Sequence, residues 1–432
     1  MPVTVGGSCG TLAETREVAV LPRIVMTAMP AAGHVNPSAP LIGELLDRGV
    51  DVTVYATEEF RPLVERLGAE FCAYPEGTIS SGVIAEATSA GGSPKVAQRI
   101  FESTRLLLPF LQAELQDRST EAIMFDSNAL WGRMVATNLG LPAISLMTTM
   151  RISTSELRGL SARESLPLLR QTFAALPGLL RARRRLRQGV GAGLLPPSPV
   201  LPAQGDLTLF PLPEWMQVDS DRDDPTCHYV GPTFDAGTRT EEVDGPLRAL
   251  LNRDGPLIVV SLGTLHSGGE DFFRACVEAF AGLPATVLLV VGRRTEPPSP
   301  DSLPAHIAVR SVVPQLEVLQ HAAAFVTHGG MNSVLEALQC GLPMVVVPQH
   351  VEQLCIGQAV AQQSGAVVLR HHLHGRQIRA DELRTAVQTL LSHESYRAGA
   401  QALGRSLHAG GGTAAAADQI DRLLRSAAGP PS

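Results

Sequence analysis

Twice along this chain a short apolar run rich in β-branched residues gives way to a helix-spaced segment and then to another apolar run. Near the start, the run Leu21 to Thr27, with Ile24 and Val25, ends in the breaker cluster Met29-Pro30-Ala31-Ala32-Gly33. Ser38 to Arg48 carries Leu41, Ile42, Leu45 and Leu46 at helical spacing and stops at Gly49. Val50 to Ala56 is the next strand, and such a βαβ unit belongs in a parallel sheet covered on both faces. The same reading predicts a strand at Ala122–Phe125, a helix from about Ala129 to Leu139 and a strand at Ala143–Leu146. The rhythm restarts with strands at Leu257–Ser261, Thr286–Val291, His306–Val309, Ala324–Thr327 and Pro343–Val347. Helices are predicted between them at Asp271–Ala281, Leu316–Gln320 and Asn332–Leu338.

The expected architecture is therefore α/β: two doubly wound, Rossmann-like domains facing across a cleft, with ligands at the carboxyl ends of the strands. A length of 432 residues accommodates both. The expected division is a tail at 1–20, a first domain at 21–218, a linker at 219–244 rich in Asp, Pro and Gly, a second domain at 245–410, and a helix at 411–432 packing back on the first domain. From Met150 to Pro202 no strand rhythm is visible. There Leu166 to Leu180 is apolar and runs into Arg181, Arg183, Arg184, Arg185 and Arg187, then into a Pro-rich loop. Insertions of this kind on an α/β scaffold shape the binding site.

With 44% hydrophobic and 18% charged residues, large cores can be buried. A net charge of −7 argues against nucleic acid as a partner, which needs a concentrated basic face. Six dispersed cysteines, none in a CxxC or Cys/His ligand spacing, read as thiols in a reducing compartment. No apolar run reaches the ~18 residues of a membrane span. Glu14, Arg16 and Glu17 interrupt any signal-peptide core. The expectation is a soluble, cytoplasmic protein.

The most informative stretch follows Val312. The strand Phe325-Val326-Thr327 runs into His328-Gly329-Gly330-Met331-Asn332-Ser333, which opens a helix. The glycines let backbone approach a ligand, and a helix N-terminus presents free N–H groups and partial positive charge to an anion. His328, Asn332 and Ser333 add side-chain donors, and Glu336 lies one turn after Asn332, able to accept from sugar hydroxyls. Glu352 and Gln353 follow the next strand, whose loop shares the same sheet edge. The strand ending in Ser261-Leu262-Gly263-Thr264 is expected to deliver hydroxyls and N–H groups there too.

Taken together, Pro314, Gln315, Thr327, His328, Gly330, Asn332, Ser333, Glu336, Gly341, Pro343, Pro348 and Gln353 resemble the nucleotide-sugar signature of the family-one glycosyltransferases, most closely the bacterial macrolide-type branch. The resemblance implies the GT-B fold and an inverting transfer of a sugar from a nucleotide diphosphate to a hydroxyl of a small hydrophobic natural product. It places the acceptor on the first domain and the donor on the second. His328 and Ser333 would touch the diphosphate, Glu336 the ribose and Gln353 the transferred sugar, with Val313, Gln315 and Met331 also on the donor. Val312 stands where plant members carry a base-stacking tryptophan, Glu352 replaces the usual Asp, and Ile356 occupies a position that is often Asn. A fully hydroxylated donor such as UDP-glucose is expected over a deoxysugar donor, because a site built to bond a hydroxyl rejects donors lacking it.

In the first half, His34 sits in Gly33-His34-Val35-Asn36-Pro37, after the first strand. An acceptor hydroxyl is a weak nucleophile, and histidine is a suitable base near neutral pH. The family's catalytic histidine lies in this setting. Asp126, at another strand's carboxyl end, is the candidate to fix its tautomer, a reading favoured over a mere cap on the helix near Ala129. Stabilisation of the leaving group by the helix end makes a divalent cation unnecessary.

Other signals read more plainly. Asp219-Ser220-Asp221 lies in an acidic linker, His371, His372 and His374 lack a fourth ligand for zinc, and the arginine run reads as a solvated helix face. Competing readings are a sugar-nucleotide 2-epimerase, a non-catalytic activator of the same fold, and a lipid-intermediate transferase on a membrane surface.

Overall fold

A computed structural model describes residues 22–152, 160–196, 200–217, 222–234, 242–263, 269–292, 303–371, 373 and 376–427. The tail at 1–20, Thr264, His372, His374 and the Asp219-Ser220-Asp221 triplet lie outside them.

The chain builds two parallel sheets. The first contains β1 (Arg23–Thr27), β2 (Asp51–Ala56), β3 (Glu70–Ala73), β4 (Ala122–Asp126), β5 (Ala143–Leu146), β6 (Leu207–Phe210) and β7 (Cys227–Tyr229), in the order β3-β2-β1-β4-β5-β6-β7. The second contains β8 (Leu257–Ser261), β9 (Thr286–Val290), β10 (Ile307–Arg310), β11 (Ala324–Thr327), β12 (Met344–Val346) and β13 (Ala366–Val368), in the order β10-β9-β8-β11-β12-β13. The central strands are buried along nearly their whole length, as apolar runs in a sheet covered on both faces must be. Each sheet reverses its strand order once, between β1 and β4 and between β8 and β11. Thr27 pairs with Phe125 at the first switch point and Thr327 with Ser261 at the second. These reversals open the crevices in which doubly wound sheets bind ligands.

Three features differ from the sequence reading. β3 and β6 are four-residue strands that the apolar pattern does not signal, and β7 falls inside the stretch read as linker. The segments without strand rhythm are largely two long helices, Ser81–Leu115 and Ala162–Val190, packed on each other. Pro94, Pro109, Pro167 and Pro177 lie inside them. Beyond the last predicted strand the second domain adds helix Val351–Ala361, β13 and helices Ala380–Ser392 and Glu394–Ser406.

The last helix, Gly412–Ala427, returns to the first sheet. Ala416, Ala417 and Ile420 are buried in the same apolar cluster as Leu41, Leu45 and Leu146. Arg48 ties it down, donating to Asp418 at 2.7 Å and Asp421 at 2.9 Å. The chain therefore crosses between the domains twice, and the crossings touch. Gly412 N–H donates to Val230 C=O at 2.6 Å. A Cβ on Gly231 would lie 2.4 Å from the Leu407 carbonyl oxygen, and one on Gly410 would lie 2.4 Å from the Val230 carbonyl carbon. Only glycine permits backbones to meet this closely. Thr233, on the first crossing, donates to the Pro37 carbonyl at 2.6 Å, just beyond His34.

Among the described residues no helix is long and apolar enough to cross a membrane. Cys227, Cys276 and Cys355 are buried, while Cys72 and Cys340 are half-buried.

Candidate active site

β1 ends at Thr27 and the chain turns into a one-turn helix, Ala32–Val35, that carries His34. β4 ends on Asp126 itself, whose side chain is almost wholly buried. Because β1 and β4 are hydrogen-bonded neighbours, both side chains arrive at one sheet edge. His34 Nδ1 lies 2.8 Å from Asp126 Oδ2. The other carboxylate oxygen accepts from Asn128 N–H at 2.8 Å, which fixes its rotation. Asp126 thus closes a local turn and also holds the histidine, while helix Leu130–Leu139 begins without a side-chain cap. A carboxylate only accepts, so Nδ1 carries the proton and Nε2 keeps its lone pair. Burial of the ring pushes the His34 pKa down. The charge of Asp126, its hydrogen bond and the charge of Glu352 outweigh that, and the imidazole titrates above its ordinary value.

A residue that sequence reasoning missed completes this group. Thr148 Oγ1, just past β5, lies 2.9 Å from His34 Nδ1 and 3.3 Å from Asp126 Oδ2. With Nδ1 protonated, the hydroxyl donates to Asp126. No motif marks Thr148; only the neighbouring of β4 and β5 could have pointed to it.

Across the cleft, β11 delivers His328 and the glycines to the start of helix Met331–Gln339. The first intrahelical bond runs from Val334 N–H to Gly330 C=O, and no side chain caps this end. The N–H groups of Met331, Asn332 and Ser333 thus begin the helix without intrahelical acceptors, the arrangement that attracts an anion. His328 fits between two glycines. A Cβ on Gly330 would lie 2.4 Å from His328 Nε2, and one on Gly263 would lie 2.7 Å from Cε1. Gly263 also has a positive φ of 83°, and its N–H reaches Ser261 Oγ at 3.4 Å. Gln315 donates to Glu336 at 2.8 Å and lies 3.3 Å from Ser333 Oγ, so it aims the acid. Gln353 accepts from Gln349 N–H at 2.7 Å, which orients its amide.

Other expected donor contacts are placed differently. The side chains of Val313 and Met331 are buried in an apolar cluster that runs from the second domain to Met147, Met150 and Phe210 of the first, leaving only their backbones to offer a ligand. Asn332 Nδ2 donates across the cleft to the Gly33 carbonyl at 2.9 Å. Glu352 accepts from the Thr149 hydroxyl of the first domain. The two halves of the site are therefore joined directly: helix Met331–Gln339 touches the residue before His34, and the first turn of helix Val351–Ala361 touches the residue after Thr148. Among the described residues no group of three or more His, Cys, Asp and Glu could hold a metal ion.

A family model described as UDP-glucoronosyl and UDP-glucosyl transferase matches residues 248–410. Demethyllactenocin mycarosyltransferase of Streptomyces fradiae is 30% identical over 94% of this chain and 87% of its own length. The NDP-glycosyltransferase YjiC of Bacillus subtilis (strain 168) is 29% identical over 94% of this chain and 98% of its own. The crystal structure of the glycotransferase of kitacinnamycin superimposes with a TM-score of 0.75 at 28% identity, covering 93% of this chain and 99% of that one. These likenesses, on two parallel-sheet α/β domains, define the class: a nucleotide-sugar glycosyltransferase of the GT-B fold. Within it, the chain belongs to the UDP-glucoronosyl and UDP-glucosyl transferase family.

Proposed function

We propose that this glycosyltransferase moves a hexose from UDP to a hydroxyl of a small hydrophobic natural product, with inversion, and that His34 is the general base. The observation that carries the reading is the His34–Asp126 pair, held at 2.8 Å and facing the helix end at Gly330–Ser333. His34 Nε2 takes the acceptor proton as the acceptor oxygen attacks the anomeric carbon. The bond from that carbon to the diphosphate breaks, and its electron pair leaves with the nucleotide. The helix N-terminus and His328 stabilise the departing charge without a metal. Glu336 meets the ribose, and Glu352 and Gln353 meet the sugar hydroxyls. An acceptor that is a natural product is supported by relatives named for such molecules, among them the oleandomycin glycosyltransferase of Streptomyces antibioticus, 28% identical.

The test is mass spectrometry of products from a panel of donors and aglycones, with UDP-glucose competing against dTDP-deoxysugars. A preference for the deoxysugar would overturn the donor assignment. Turnover of donor in the absence of any acceptor, giving an epimer, would overturn the transfer reading.

A further inference from the structure

Helix Ala162–Val190 is 29 residues long. Its inner face, with Ala175, Ala182 and Leu186 buried, packs on helix Ser81–Leu115. Its outer face is unusual. Leu166, Leu169, Phe173 and Leu180 are 61%, 50%, 67% and 52% exposed, four of the seven exposed large hydrophobic residues in the described structure. At ~100° per residue these four fall within a sector of about 60°. Arg184 and Arg187 continue the same sector, and Arg170 and Arg181 flank it.

The charge of the helix opposes that of the chain. The whole chain is at −7, yet residues 162 to 190 carry Arg163, Arg170, Arg181, Arg183, Arg184, Arg185 and Arg187 against one acid, Glu164. That acid is buried and paired with Arg370 at 3.2 Å, so it neutralises nothing on the outer face. A leucine and phenylalanine stripe continuing into exposed arginines is the chemistry of a helix that lies in the plane of a lipid surface. A guanidinium pairs two N–H groups with phosphate oxygens, while apolar chains enter the headgroup–acyl boundary. A second copy of the chain fits poorly, because a two-fold contact would press this face on its own copy, which offers the arginines no exposed acid.

We propose that the outer face of helix Ala162–Val190 docks the enzyme on an anionic phospholipid surface. Leu166, Leu169, Phe173 and Leu180 enter the interface, and the arginines from Arg181 to Arg187 pair with lipid phosphates. The Glu164–Arg370 pair joins the start of this helix to the second domain, just past β13, so the stripe begins beside the cleft. A hydrophobic acceptor dissolved in the lipid then has a short path to the site. That last clause rests on the proposed acceptor class; the docking does not.

The experiment is flotation of the full chain with vesicles of phosphatidylglycerol and phosphatidylcholine, and with phosphatidylcholine alone. Binding is expected to be at least tenfold stronger on the anionic vesicles and to fall several-fold in high salt. The double variants Leu169→Ser/Phe173→Ser and Arg183→Gln/Arg184→Gln are each expected to cut binding at least fivefold. Both alter exposed positions on the outer face, so circular dichroism should match the unaltered enzyme. Equal binding to both vesicle types would overturn the proposal, as would variants that bind like the parent. A dimer in sedimentation velocity that the Leu169→Ser/Phe173→Ser variant dissociates would assign the face to a second copy instead.

Discussion

His34 is held by Asp126 and Thr148 in one tautomer, and its pKa lies above the ordinary histidine value. Removing a positioned base costs ~10²–10⁴ in rate. His34→Ala is therefore expected to lower kcat by about 100-fold or more, with nucleotide binding by calorimetry unchanged, because the donor contacts lie on the other domain. A variant keeping most of its kcat would remove His34 from the mechanism. The pH profile gives a second check. A base works only when neutral, so a raised pKa moves the acid limb of kcat/KM to higher pH, above the ~6.5 of free histidine. In Asp126→Asn the raising charge is gone while burial remains. Its limb should move to lower pH even as the plateau falls, and an unmoved limb would mean that Asp126 does not set this titration. The meeting of His34 and Asp126 was legible because both lie at carboxyl ends of apolar strands, His34 in the turn after β1 and Asp126 as the last residue of β4. Thr148, Thr149 and the cross-cleft reach of Asn332 and Glu352 were not. Those partnerships depend on which strands are neighbours and how the domains face each other, and no local spacing encodes that.

At the scale of elements, the turn from β11 into helix Met331–Gln339 carries the greatest consequence. Gly330 has an ordinary backbone conformation, with φ of −63°, so a side chain there is barred by space alone. Gly330→Ala would drive a methyl into His328 at 2.4 Å and displace the ring. Donor KM is expected to rise about tenfold, equivalent to about 1.4 kcal/mol, with melting temperature little changed. Because this helix end itself supplies the positive field, EDTA should leave turnover largely intact. Complete loss on chelation, restored by Mg²⁺ or Mn²⁺, would mean that a cation does this work. The βα elements around both switch points could be read from the sequence because their strands are buried on both faces and so uniformly apolar. Helix Ser81–Leu115 could not, and of helix Ala162–Val190 only the arginine run was read as a helix face. Their internal prolines read as breakers, and packing of one long helix on the other offsets a local cost that sequence alone weighs heavily. β7 escaped notice because three residues, two of them half-buried, leave no periodicity to detect.

For the whole molecule, the returning C-terminal helix is a structural part of the first domain. Deleting residues 412–427 would uncover the cluster around Leu41, Leu45 and Leu146 where Ala416, Ala417 and Ile420 now lie. A fall in melting temperature of roughly 5 °C or more is expected by calorimetry, from lost apolar burial at ~25 cal/mol per Å². An unchanged melting curve would show that the helix contributes no packing.

The two crossings between the domains, fused at Val230–Gly231 and Leu407–Gly412, leave the halves joined by a short axle. A body held on an axle swings; it does not slide or separate. The axle is bonded through Thr233 to Pro37, three residues beyond His34. Points near an axle travel little while distant ones sweep wide arcs. A swing about that axle would open the mouth of the cleft to a bulky guest while moving the histidine and the helix end opposite it least.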